Sequence, residues 1–149
     1  MKRILGWLVG ARGKDPGKAG SRKSMVAAIQ EVVVVRLREE GYTGSFPHFR
    51  RQHSNLIEVL MFQFDRNGGG FVIETGECPV DGITNSLGKH IMPNAVRAWD
   101  LPSNQRKRVK PREGSGTESW FRFDKAKSEQ DFREVAREVV QCLESAGYI

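Results

Sequence analysis

Residues 55–76 read NLIEVLMFQFDRNGGGFVIETG, and no other stretch of the chain is as long, as apolar and as rich in β-formers. In its first run Leu56, Leu60, Phe62 and Phe64 share one face by the two-residue period of a strand, with Glu58 among them. Ile57, Val59 and Met61 take the other face, which turns polar at Gln63 and Asp65. In the second run Phe71 and Ile73 alternate with Val72 and Glu74. Asn67, Gly68, Gly69 and Gly70 lie between the runs, and such residues accept positive φ cheaply, so the pair reads as a β-hairpin. We expect Phe64 opposite Ile73 and Gln63 opposite Glu74. A strand apolar on both faces belongs inside a sheet, and two amphipathic helices are expected to enclose this one.

One helix is predicted over residues 24–40, with Val26, Ile29, Val33 and Leu37 on its stripe and Gly41 as its stop. Four consecutive valines, Val32 to Val35, oppose helix there because β-branched side chains are stiff. Residues 46–53 read as a strand that leads into the hairpin, giving a three-stranded antiparallel meander. Residues 119–124, SWFRFD, read as a short aromatic strand at the sheet edge. The second helix starts at Ser128 with a capping-box pattern that uses Asp131, and carries Phe132, Val135, Ala136, Val139, Val140 and Leu143 on one stripe. Residues 113–118 form a turn. Residues 78–111 are punctuated by Pro and Gly and follow no period, apart from a short strand or turn at residues 95–99. The fold class is therefore α+β: an antiparallel meander of three to four strands flanked by an N-terminal and a C-terminal helix.

The net charge of +6 sits in the first 23 residues, which hold seven basic groups against Asp15 alone; the other 126 residues hold 17 of each sign. We read residues 1–23 as a basic flexible tail and 24–149 as one neutral domain, which speaks against a basic nucleic-acid surface built into the domain. Residues 1–11 resemble a secretory signal but are shorter than the usual ~15–30 residues. Their apolar run is far below the ~20 needed for a membrane span, although Trp7 and Leu8 with basic neighbours suit a membrane surface. Two distant cysteines, Cys78 and Cys142, form no disulfide framework, so a reducing cytoplasmic setting is expected.

Few residues suggest chemistry. His48, His53 and His90 have no metal-ligand spacing, no G-x-S-x-G is present, and the three glycines end a hairpin instead of opening a phosphate-binding helix. No metal, cofactor or catalytic group is assigned. Glu58 among apolar neighbours is a candidate acid or base if buried, and a structural ion pair with Arg51 if not. Gln63 joins those two as a possible polar site. The strongest signal is basic: Arg106, Lys107, Arg108, Lys110 and Arg112 crowd one loop shortly before Trp120, Phe121 and Phe123. Such a loop can grip phosphates and stack bases, or anchor on an acidic protein surface.

The helix ending in Gly41-Tyr42, the strand with Phe49 and Arg51, the apolar strand carrying Gln63 and the strand over residues 71–76 form one set of signs. The basic segment ending near Arg108, the Trp120-Phe121 strand and the last helix complete it. Together, over roughly residues 25–149, they resemble a bacterial family known only as domain of unknown function 4304. The resemblance implies an α+β domain of bacterial origin and implies no chemistry. Small bacterial domains that neutralise toxins offer an analogy only. The expected function is a non-catalytic protein-binding module, with an immunity-type toxin neutraliser as the form to consider. The alternatives are a weak nucleic-acid binder using the 106–112 loop and an enzyme whose site is not legible in sequence.

Overall fold

The computed structural model describes residues 20–112 and 119–149, and in it the 55–76 stretch forms the two longest strands of a six-stranded antiparallel sheet. The strands are β1 (Thr43–Ser45), β2 (His48–Gln52), β3 (Leu56–Phe64), β4 (Gly70–Pro79), β7 (Arg106–Arg108) and β8 (Phe121–Arg122), while β5 (Ile83–Thr84) and β6 (His90–Ile91) form a separate ribbon. The sheet order is β1-β2-β3-β4-β7, with β8 also paired to β4, beside its first residues. The α+β class stands, and the sheet gains β1 after the Gly41 helix stop, and β7 where a basic loop was expected.

The predicted hairpin register is wrong by two residues: Phe64 faces Phe71, and Gln63 faces Val72. Gly70 is already strand, because the Asp65 amide donates to its carbonyl at 2.9 Å, so Gly68 (φ +90°) and Gly69 (φ +85°) make the turn without it. A slip of two keeps each side chain on its face, so the division of the two faces survives.

The N-terminal helical run starts at Gly20, earlier than Ser24. It is α-helical over Gly20–Ala28 (α1), π-helical over Ile29–Val34 and α-helical again over Val35–Glu39 (α2). The π segment contains three of the four valines, where a β-branched run weakens an α-helix. Met25, not Val26, joins Ile29, Val33 and Leu37 on the buried stripe. The C-terminal helix α3 (Glu129–Ser145) has the expected capping box: the Asp131 amide donates to Ser128 Oγ, and the Ser128 amide donates to the Asp131 carboxylate. Both helical runs stop in the same way. Tyr42 N bonds Leu37 O and Gly41 N bonds Arg38 O; Tyr148 N bonds Leu143 O and Gly147 N bonds Glu144 O. These are paired Schellman closures, each with glycine at positive φ.

The expectation that helices enclose the sheet fails. α1, the π segment, α2 and α3 all pack on one face, around Phe49, Leu60, Phe62, Phe71, Ile73, Phe121 and Phe132. The other face carries Ile57, Val59, Met61 and Cys78, and the connection after β4 covers it with Val96, Ala98 and Leu101. The connection has enough apolar side chains to do this work. Each buried Leu or Phe contributes about 1.5–3 kcal/mol, so the larger helical layer dominates the stability. We call the helical side the inner face and the other side the outer face. The expected turn over residues 113–118 and the tail through residue 19 lie outside the described residues.

Candidate functional site

Arg51 and Glu58 meet, as the pairing of β2 with β3 requires. Arg51 Nε and Nη2 lie 2.9 and 2.7 Å from Glu58 Oε1, and His53 Nε2 contacts the same oxygen. Arg51 Nη1 also donates to the Glu40 carbonyl at 3.1 Å, and its guanidinium lies 4.6 Å from the centre of the Tyr42 ring. The Tyr42 hydroxyl is held neutral to well above its ordinary range, first by burial and then by the charge of Glu58. This cluster therefore ties the end of α2 to β2 and β3. Gln63 is elsewhere: it is exposed on the outer face, towards the hairpin turn.

On the outer face, pairing lines up His48, Met61, Glu74 and Arg108 across four strands. Glu74 is only 8 % exposed. It accepts from Arg106 Nη1 at 3.0 Å and Arg108 Nε at 3.2 Å, a paired geometry that compensates a buried carboxylate. Arg112 donates to Gln141 on α3 at 2.8 Å, and Lys107 is exposed. Lys110 is exposed and has a partner of its own. The five-residue basic segment is thus divided between internal ion pairing, a helix contact and the surface. Trp120 lies over Gly70, its ring 3.4 Å from where a Cβ would stand, with the Arg122 guanidinium 5.7 Å from its centre.

Sequence reasoning missed the most exposed part of this surface. Trp99 lies in the 3-10 turn Ala98–Asp100, 54 % exposed, with His48 4.6 Å from it and Arg97 5.5 Å over its ring. The His48 imidazole is pushed below its ordinary value, by burial first and then by Arg97 and Arg50, with Asp100 opposing. Arg50 in turn donates twice to the Val96 carbonyl, at 3.1 and 3.0 Å, and pins the connection to β2. Four large apolar residues are exposed among the described residues, and three of them, Leu87, Met92 and Trp99, fall on this connection. Residues 80–105 hold Lys89 and Arg97 against Asp81 and Asp100, so the basic excess on this side begins only at β7, with Arg106.

A groove of about 790 Å³ runs between residues 122–126 and α3, lined by Asp124, Asp131, Glu134 and Glu138 among others. Glu58 does not line it, and the Asp131 carboxylate is occupied by the helix cap. Among the described residues no group of three or more His, Cys, Asp or Glu is placed to hold a metal ion, and no helix is long and apolar enough to cross a membrane.

These features define an α+β protein with one helical layer, a central antiparallel sheet and an ordered connection carrying exposed aromatic and aliphatic side chains. The chain belongs to the family described as Domain of unknown function (DUF4304), whose model matches residues 33–147, from the π segment to the glycine that closes α3. No curated protein and no solved structure matches the chain.

Proposed function

We propose that this chain is a non-catalytic protein-binding module that docks through its outer face. The observation that carries the reading is the concentration of Leu87, Met92 and Trp99 on one ordered connection that leads into the basic segment 106–112. Trp and Arg are the residues most often found at the energetic centre of interfaces, and Trp99 with Arg97 supplies both. Arg106 and Arg108 share the outer face with Glu74, while Lys107, opposite Thr75, and Arg112, bonded to Gln141 on α3, turn to the helical side; Lys110 and Trp120 complete this edge of the sheet. Nucleic acid is the less favoured ligand, because Arg106 and Arg108 already serve Glu74 and the indoles of Trp99 and Trp120 already face guanidinium groups that a stacking base would have to displace. A catalytic role for Glu58 is disfavoured by its close ion pairs with Arg51 and His53. We further infer a bacterial, cytoplasmic setting, in keeping with two free buried cysteines, and an immunity-type role as the first form of binding to test.

Affinity capture from the native host with the full chain tests this. A partner at near-native abundance should be retained by the wild type and lost with Trp99→Ala. Recovery of no specific partner, or equal recovery by the variant, overturns it. Binding to single-stranded DNA that weakens steeply with salt above ~50 mM and depends on Lys107 would favour the nucleic-acid reading instead.

A further inference from the structure

The two edges of the central sheet are finished differently. At one edge β1 turns the carbonyls of Tyr42 and Gly44 outward, and Arg38 closes both: Nη1 donates to the first at 3.3 Å and Nη2 to the second at 2.6 Å. At the other edge β7 runs beside β4, and β8 continues the same edge towards the hairpin turn. Lys107 and Val109 turn their backbone to β4: Lys107 pairs with Thr75, and the Val109 amide donates to the Ile73 carbonyl at 3.0 Å. By strand alternation Arg106 and Arg108 turn theirs away from the sheet. The Arg106 amide donates to the Ser103 carbonyl. The Arg106 carbonyl and both backbone groups of Arg108 have no hydrogen-bond partner among the described residues. Arg108 is exposed, so this stretch of backbone is open to solvent.

We propose that β7 is a docking edge, which an extended acidic segment of a partner protein joins as a further strand. The inference rests on the protein-binding reading above and adds the mode of attachment and the charge of the attached segment. An added strand offers both donors and acceptors along one side, which is what the Arg106 carbonyl and the two groups of Arg108 lack. The charge follows from the side chains on this edge, where residues 106–110 read RKRVK. Arg106 and Arg108 share one carboxylate, Glu74, and Lys107 is exposed on the helical side, so the strand stays positive after its internal pairing. Opposite charges facing each other across neighbouring strands stabilise the pair, and like charges destabilise it. The same charge therefore rejects a second copy of this chain, whose β7 would set Arg and Lys against Arg and Lys, and admits a strand carrying Asp or Glu. A nucleic-acid backbone fits less well, because phosphates only accept hydrogen bonds and the outward carbonyls need donors.

The test titrates the full chain with a fluorescein-labelled peptide that alternates Glu and Thr, with its Lys-for-Glu counterpart, and with the acidic peptide N-methylated at every Glu. The last keeps the charge and loses the donors that would face β7. The acidic peptide should bind and the basic one should not, and N-methylation should weaken binding roughly tenfold or more through the lost backbone bonds. The Arg108 amide should exchange more slowly in the complex, while the Lys107 amide, already turned to β4, changes little. Arg108→Ala and Arg108→Pro remove the same guanidinium, but only proline also removes the amide, and proline is tolerated where an edge N–H faces solvent. Binding should therefore be several-fold weaker with proline than with alanine; if the proline variant does not fold, the N-methylated peptide decides alone. No binding of the acidic peptide, or equal binding of its N-methylated form, overturns the added strand. So does single-stranded DNA that slows the Arg108 amide as much as the peptide does, or a wild-type dimer lost with Arg108→Pro. The docking face is judged separately: a captured partner lost with Trp99→Ala upholds it even where the peptide fails, and peptide binding without such a partner upholds the edge alone.

Discussion

Single residues on the two faces of the sheet respond to different variables. Arg51 balances Glu58, whose side chain is 14 % exposed, so Arg51→Ala removes two short charge-assisted bonds and leaves the carboxylate to His53. We expect a loss of about 1.5–3 kcal/mol in urea denaturation, the range for hydrogen bonds to charged groups. Arg51→Lys should recover only part of it, since an ammonium lacks the fork that reaches Glu58 through both Nε and Nη2. On the outer face, His48 is held below its ordinary value by burial, with Arg97 and Arg50 adding to it. The folded state therefore binds fewer protons than the unfolded state as pH falls through the ordinary histidine value near 6.5, and stability must drop with it. His48→Gln should flatten the stability profile between pH 7 and 5, read as Tm against pH; an unchanged slope would show that other groups set it.

At the scale of elements, close approach limits what can be substituted. Gly76 on β4 lies under Leu101, and a Cβ there would stand 2.4 Å from Leu101 Cδ1 and 3.2 Å from the Gln105 carbonyl. Gly76→Ala should therefore push the connection off the sheet at a cost of about 1–3 kcal/mol, the usual range for overpacking. Gly76→Ala with Leu101→Val should regain part of that loss, and independent additive losses would count against the contact. The hairpin, the amphipathic stripe of α3 and its capping box were legible because each rests on a local rule: alternation, helical period, or a Ser-Asp spacing. The register was not legible, because Gly70 is compatible with either turn or strand, and its bond from Asp65 together with its pairing with Arg122 on β8 decides. The Arg51–Glu58 pair was readable from alternation on neighbouring strands. The Glu74 pairing was not, since it joins residues more than thirty positions apart through β7, a strand with no apolar signature.

Over the whole molecule, the sheet separates two cores of unequal size. Twenty-one buried residues, including all those of the helices, lie on the inner side, while seven lie on the outer side. The chain's sequence gave no warning of this, because an apolar face on β3 calls for a cover without saying whether a helix or a connection supplies it. The difference has a dynamic consequence. Few apolar contacts and short two-residue strands are the features of regions that open locally, well below the free energy of global unfolding. Native-state hydrogen exchange should therefore show the paired amides of the β5–β6 ribbon exchanging through a sub-global opening, while the central amides of β3 and β4 exchange only on global unfolding. Leu101→Ala should lower protection in the connection and leave the inner helices nearly as protected as before. If ribbon and β3 amides shared one opening free energy, the outer layer would be an integral part of the core. If they differ, a partner seated on the outer face would raise protection there first, giving a binding readout that needs no assay of activity.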